Sequence, residues 1–126
     1  MPVSAAQRRH WQQRLQGEAA AIAERRQRAE RQAHCSAEAL RARWPQIQAV
    51  WLFGSALEPG FTLESDLDLC VEGMPSDALL DAMALLDHVA LPGHLQEQRL
   101  PVDLVRLEAL PPHWQQRMRE RARLLV

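Results

Sequence analysis

Lysine is absent from this 126-residue chain: all 15 basic side chains are arginine. A Schiff-base lysine and a P-loop lysine are therefore excluded, together with the chemistries built on them. Cysteine is scarce. Cys35 and Cys70 are too few for a disulfide framework and have no C-x-x-C spacing. Cys70, inside an apolar run from Leu67 to Val71, reads as a small buried thiol. Long hydrophobic runs are missing as well: the most apolar stretch, Ala78 to Leu91, is broken by Asp81 and Asp87 and falls short of the ~18 residues of a spanning helix. The first eight residues lack the apolar core of a signal peptide. The expectation is a cytoplasmic protein with no membrane partner. The 5 histidines are scattered and form no H-x-x-x-H pair, which argues against zinc.

What is present suits one folded domain. The chain is 47% hydrophobic and 25% charged, too apolar for disorder. A domain of this size buries roughly two-thirds of its unfolded surface, so a core forms without disulfides or structural metal. The formal charge of −1 hides a division. Residues 1–48 hold nine arginines against four glutamates, and residues 49–110 hold two arginines against eleven acids. Residues 111–126 return to four arginines against one glutamate. A nucleic-acid binder needs a basic stripe at its recognition element, and here the candidate core is acidic. The basic flanks read as solvated helix faces, with Glu24–Arg28 and Arg26–Glu30 as i,i+4 pairs, or as a surface for an acidic protein partner. Nucleic acid comes last.

Hydrophobic periodicity predicts the order α-α-β-β-α-β-α, which suggests a small α/β sheet with helices on it. Ser4 to His34 reads as one long helix, with Ser4 and Gln7 as a capping box and a thin stripe of Trp11, Leu15, Ala19 and Ile22. A break at His34-Cys35-Ser36 leads to a short helix that Pro45 ends. The division expected is an N-terminal helical extension, residues 1–35, and a domain of residues 36–126. Ile47 to Phe53, Leu67 to Val71 and Pro101 to Leu107 read as strands. A helix from Pro75 to about Leu91 buries Leu79, Leu80, Met83 and Leu86, and a last helix from Pro111 runs through Trp114, Met118, Ala122 and Leu125. Trp44, Trp51 and Phe53 are candidate core. Trp11 reads either as core or as an anchor for a partner or a second copy, so that the N-terminal helix could support a homo-oligomer.

The stretch that carries chemistry is Gly54-Ser55, ten intervening residues, then Asp66-Leu67-Asp68. Alternate residues of a strand share a face, which puts Asp66 and Asp68 on one side with Cα atoms about 7 Å apart. Asp103 is likewise one acid in an apolar strand, Val102-Asp103-Leu104-Val105. If the two strands are neighbours, three carboxylates converge. Two such charges ~4 Å apart repel by about 4 kcal/mol at an effective dielectric near 20, and a proton or a cation must relieve that. Hard oxygen ligands suit Mg²⁺, which completes its shell with water and substrate phosphates. Gly54 allows close approach of the backbone to a phosphate, and Ser55 adds a hydroxyl and an N–H. The common ligand of such a pair of features is a metal–nucleoside triphosphate, attacked in line at the α-phosphorus, with Asp103 the candidate base for the attacking hydroxyl.

These residues resemble a family. Leu52-Phe53-Gly54-Ser55, the gap, Ser65-Asp66-Leu67-Asp68-Leu69 and Val102-Asp103-Leu104-Val105 are similar to the minimal nucleotidyltransferases of the DNA polymerase beta superfamily, over about Ile47 to Val126. The resemblance implies an α/β (α+β) fold with a mixed sheet flanked by helices, Mg²⁺ at Asp66, Asp68 and Asp103, and nucleotide contacts at Gly54, Ser55 and Ser65. It also implies a HEPN-domain toxin as partner, with ATP as substrate and AMP transferred to a toxin hydroxyl, so that the protein acts as an antitoxin. One departure stands out. Family members often carry Ala-Arg-Gly soon after Gly-Ser, whereas this chain reads Ala56-Leu57-Glu58-Pro59-Gly60. An acid stands where a phosphate-facing cation is expected, and Arg99 or Arg106 would have to serve from elsewhere. The alternative function is therefore a catalytically weak or inactive protein of the same fold that neutralises its partner by stoichiometric binding. Small-molecule modification of the aminoglycoside type is disfavoured, because little chain is left to build a substrate domain.

Overall fold

The computed structural model describes residues 4–126. It begins with α1, Ala5–Arg43, a single helix of 39 residues. The capping box is present: Gln7 N–H donates to Ser4 Oγ at 3.1 Å, and Ser4 N–H donates to Gln7 Oε1 at 3.0 Å. The expected break at His34-Cys35-Ser36 does not occur. Nothing there lacks an N–H or forces a turn, and Ala29, Ala33, Ala37 and Leu40 form one continuous buried stripe across it. Residues 4–20 are exposed along their whole length, with Trp11 at 53% and Leu15 at 60% exposure. Trp11 is therefore not core; it touches His10 and the Arg14 guanidinium, one turn or less away. From Ile22 onward the helix packs on the sheet.

The sheet is mixed, in the order β3-β2-β1-β4. β1 (Ala49–Phe53) and β2 (Leu67–Glu72) are antiparallel, with Val50 opposite Val71 and Phe53 opposite Asp68. β3 (Val102–Arg106) runs parallel to β2, and the right of way between them is taken by the crossover helix α2, Leu79–His88. One face of the sheet, with Val50, Leu52, Leu67, Leu69, Val71 and Leu104, packs against α1 and α2. The other carries Ala49, Trp51 and Cys70, covered in part by Met118 of α3, Pro112–Arg121, and by Ala122 just after it.

Two helices differ from expectation. A single 3₁₀ turn, Ser76–Ala78, precedes α2 and rotates its inner face onto Ala78, Ala82 and Leu86, which leaves Leu80 80% exposed. The last helix stops at Arg121, and Ala122 adopts an extended conformation. Arg123–Leu124 then forms β4, pairing antiparallel with β1. Leu125 N–H donates to Val50 O at 2.8 Å, so the free edge of β1 finds partners there rather than remaining bare. No helix is long and apolar enough to cross a membrane among the described residues.

Candidate functional site

The end of β1 and the start of β2 meet at one corner. Phe53 closes β1 in extended geometry, and Gly54 follows with φ +78, opening the 3₁₀ turn Gly54–Leu57. Glycine is required there twice. The left-handed backbone excludes most side chains, and a Cβ at this position would lie 2.3 Å from Asp68 Oδ2. The bend and the aspartate of β2 are thus in direct apposition. Ser55 lies in the same turn, half-buried.

Asp68 and Asp103 are register partners on the parallel strands β2 and β3. Neighbouring strands lie about 4.8 Å apart, and partner residues project from the same face. That face is the one carrying Cys70 and Val105, opposite Leu67, Leu69 and Leu104. Burial pushes the Asp68 carboxyl above its ordinary value of 3.8, and the charges of Asp103 and then Asp66 push it the same way. The crowding expected of the trio is therefore concentrated on Asp68, the most enclosed of the three. Asp66 lies just ahead of β2 and is exposed, as is Asp103. Among the described residues no three His, Cys, Asp or Glu side chains are close enough to form a ready-made metal cage. The pair Asp68–Asp103 is assembled by the sheet; Asp66 stands outside it, within reach of its field. An all-carboxylate donor set of this kind fits Mg²⁺, a hard cation that takes oxygen ligands.

The loop between the two halves of the motif is held by α1. Arg25 Nη2 donates to Ser65 O and Arg26 Nη2 donates to Glu58 O, each at 2.9 Å. Ser65 uses its hydroxyl inside the loop, accepting from Thr62 N–H at 2.9 Å. It therefore helps to hold the loop in shape, while its own O–H remains a donor. The long helix thus has a task at the site that its sequence does not announce.

Neither arginine named as a substitute phosphate cation is at the corner. Arg99 donates to Leu86 O at 2.9 Å and to Val89 O, tying down the end of α2. Arg106 donates to Met74 O at 3.2 Å and is the partner of Val71, three residues along β3 from Asp103. What borders the corner instead is α3. A cavity of about 230 Å³ lies between Phe53, Gly54, Leu57 and Glu58 on one side and Trp114, Arg117, Met118 and Arg121 on the other. Sequence spacing carries no sign of this, because the approach of residues 114–121 to residue 54 is purely tertiary.

The family description "Polymerase beta, Nucleotidyltransferase" matches residues 37–126. The chain belongs to this nucleotidyltransferase family. Its fold is shared with solved toxin–antitoxin structures. One, a toxin–antitoxin with AMP-PNP, is 23% identical with a TM-score of 0.54, over 71% of this chain and 68% of that chain. Another, a mutant toxin–antitoxin MntA–HepT, is 21% identical with a TM-score of 0.52, over 71% and 67% of the two chains. At such identities the likeness is one of fold. No curated protein matches the chain in sequence. The matched span begins within the last two turns of α1, so most of that helix lies outside the family region.

Proposed function

We propose that this nucleotidyltransferase moves AMP from ATP onto a hydroxyl of a partner protein, a HEPN-type toxin, and so acts as its antitoxin. The observation that carries the reading is the side-by-side placement of Asp68 and Asp103 on the face that Gly54 borders. Membership of the polymerase beta family supports the chemistry, and the toxin–antitoxin neighbours, one with AMP-PNP, support the partner and the nucleotide.

Mg²⁺ would be held by Asp68 and Asp103, with Asp66 as the third carboxylate, and when bound it neutralises charge on the phosphate oxygens. The chain's own residues divide the rest. Gly54 leaves room for a phosphate against the backbone, and Ser55 offers its N–H and hydroxyl. Asp103 accepts the proton of the acceptor hydroxyl as its oxygen bonds to the α-phosphorus; the bond from that phosphorus to the β-phosphate oxygen breaks, and pyrophosphate leaves.

Glu58 favours a second reading, stoichiometric neutralisation without turnover, because it places an acid at the phosphate loop. The two separate in one experiment. The protein and Asp66→Asn/Asp68→Asn are each incubated with α-labelled ATP, Mg²⁺ and a HEPN-type toxin, and toxicity is scored in parallel. Transfer and protection that are lost together favour catalysis. Protection that survives in the double variant favours binding alone.

A further inference from the structure

We infer that Arg117 and Arg121 of α3 bind the β- and γ-phosphates of the nucleoside triphosphate, supplying the cations that the loop after Gly54-Ser55 lacks. The inference rests on the proposed nucleotide-transfer reading and adds to it a part of the molecule that lies outside the Gly-Ser and Asp-x-Asp motifs.

Three observations converge. The cavity between α3 and the Gly54–Leu57 turn opens beside Gly54, whose other neighbour is Asp68, so one short path leads from the carboxylates past the bend to α3. Arg117 and Arg121 are four apart on the helix, hence on one side of it, and both line this cavity. Neither makes a salt bridge among the described residues, whereas Arg119, facing elsewhere, is paired with Glu72 at 2.7 Å. Arg117 instead lies over the Trp114 ring, 5.2 Å from its centroid, which props the guanidinium at the mouth of the cavity.

The magnitudes select the phosphates. At about 230 Å³ the cavity is below the ~300 Å³ at which pockets begin to take whole drug-sized ligands, so it accommodates one part of a nucleotide. Two guanidiniums against the single Glu58 leave the charged part of the lining net positive, which suits a polyanionic tail. Arginine is also the better side chain for the task, since its fork matches two phosphate oxygens at once.

The test is calorimetric titration of ATP and of AMP, in Mg²⁺, into the full chain and four variants, with folding checked by circular dichroism. Arg117→Gln/Arg121→Gln is expected to weaken ATP by at least about tenfold while leaving AMP affinity unchanged. Arg119→Gln, the same charge change on the same helix, is expected to leave ATP binding as it was. Arg117→Lys/Arg121→Lys is expected to restore part of the loss, and Trp114→Leu to weaken ATP more than AMP. ATP binding that is indifferent to the double glutamine variant overturns the inference and leaves the transfer reading standing. Equal weakening of ATP and AMP also overturns it, since the cavity would then hold the nucleoside. A wild-type chain that binds no ATP at all removes both.

Discussion

Gln32 and Leu100 bond to each other twice. Gln32 Nε2 donates to Leu100 O at 2.9 Å, and Leu100 N–H donates to Gln32 Oε1 at 2.8 Å, with both residues buried. One amide on α1 thus satisfies both backbone groups of the residue that leads, through Pro101, into β3. Its position determines where Asp103 enters the sheet beside Asp68, so the long helix positions the site as well as covering the core.

Gln32→Leu is expected to strand one buried donor and one buried acceptor. At about 1–3 kcal/mol for each, the loss should total roughly 3 kcal/mol. Urea unfolding would read it as a lower midpoint with an unchanged slope. Gln32→Glu should cost nearly as much, because a carboxylate accepts from Leu100 N–H but has nothing to donate to Leu100 O.

Gly54→Ala is expected to have a small effect on stability and a large one on the site. The left-handed backbone costs an alanine about 1 kcal/mol. The clash at 2.3 Å is with the end of the Asp68 side chain, which can swing away. Thermal unfolding should therefore fall by only a few degrees, while divalent-ion binding is lost because Asp68 no longer faces Asp103.

Asp68 gives the protein a pH signature. Its carboxyl is pushed up by burial, then by Asp103 and Asp66. An acid whose folded value is raised contributes its full stability below the ordinary value of 3.8 and loses it as pH rises through the folded value. Asp68→Asn removes that loss. In EDTA the variant should melt higher than wild type at pH 7, with the gap closing as pH falls toward 4. Adding Mg²⁺ at pH 7 should raise the wild-type melting temperature and leave the variant unmoved.

The two thiols should react very differently. Burial first, then the charges of Glu108 and Glu72, push the Cys70 thiol up to about 12, with Arg119 opposing them. Cys35 is half-buried on α1. Native protein is expected to yield one reactive thiol to a disulfide reagent, and Cys35→Ser is expected to yield none until denaturant is added.

Much of this arrangement is legible in the sequence where the determinants are local or periodic. Ser4 and Gln7 announce the cap, and acids set singly in apolar runs mark Asp68 and Asp103 as strand positions, while their sharing of a face waits on the pairing of β2 with β3. Elements chosen by distant partners are not legible. Ala122 to Leu125 continues a helical pattern, yet the bare edge of β1 claims it as a strand. Leu80 looks like core until the 3₁₀ turn before α2 rotates the helix. His34, Cys35 and Ser36 are weak helix formers, yet the helix runs through them because a buried stripe crosses that stretch. Arg25, Arg26, Arg117 and Arg121 read as solvated charges, because their approach to the loop and to Gly54 is made only by folding.

The account depends most on two strands contributing jointly to one divalent-ion site. Titration of Mn²⁺ as a spin-visible substitute for Mg²⁺, with ATP present, into wild type, Asp68→Asn and Asp103→Asn tests this most directly. A wild-type site that is lost in each single variant is the predicted result. Undiminished Mn²⁺ binding by the Asp103→Asn protein would contradict it.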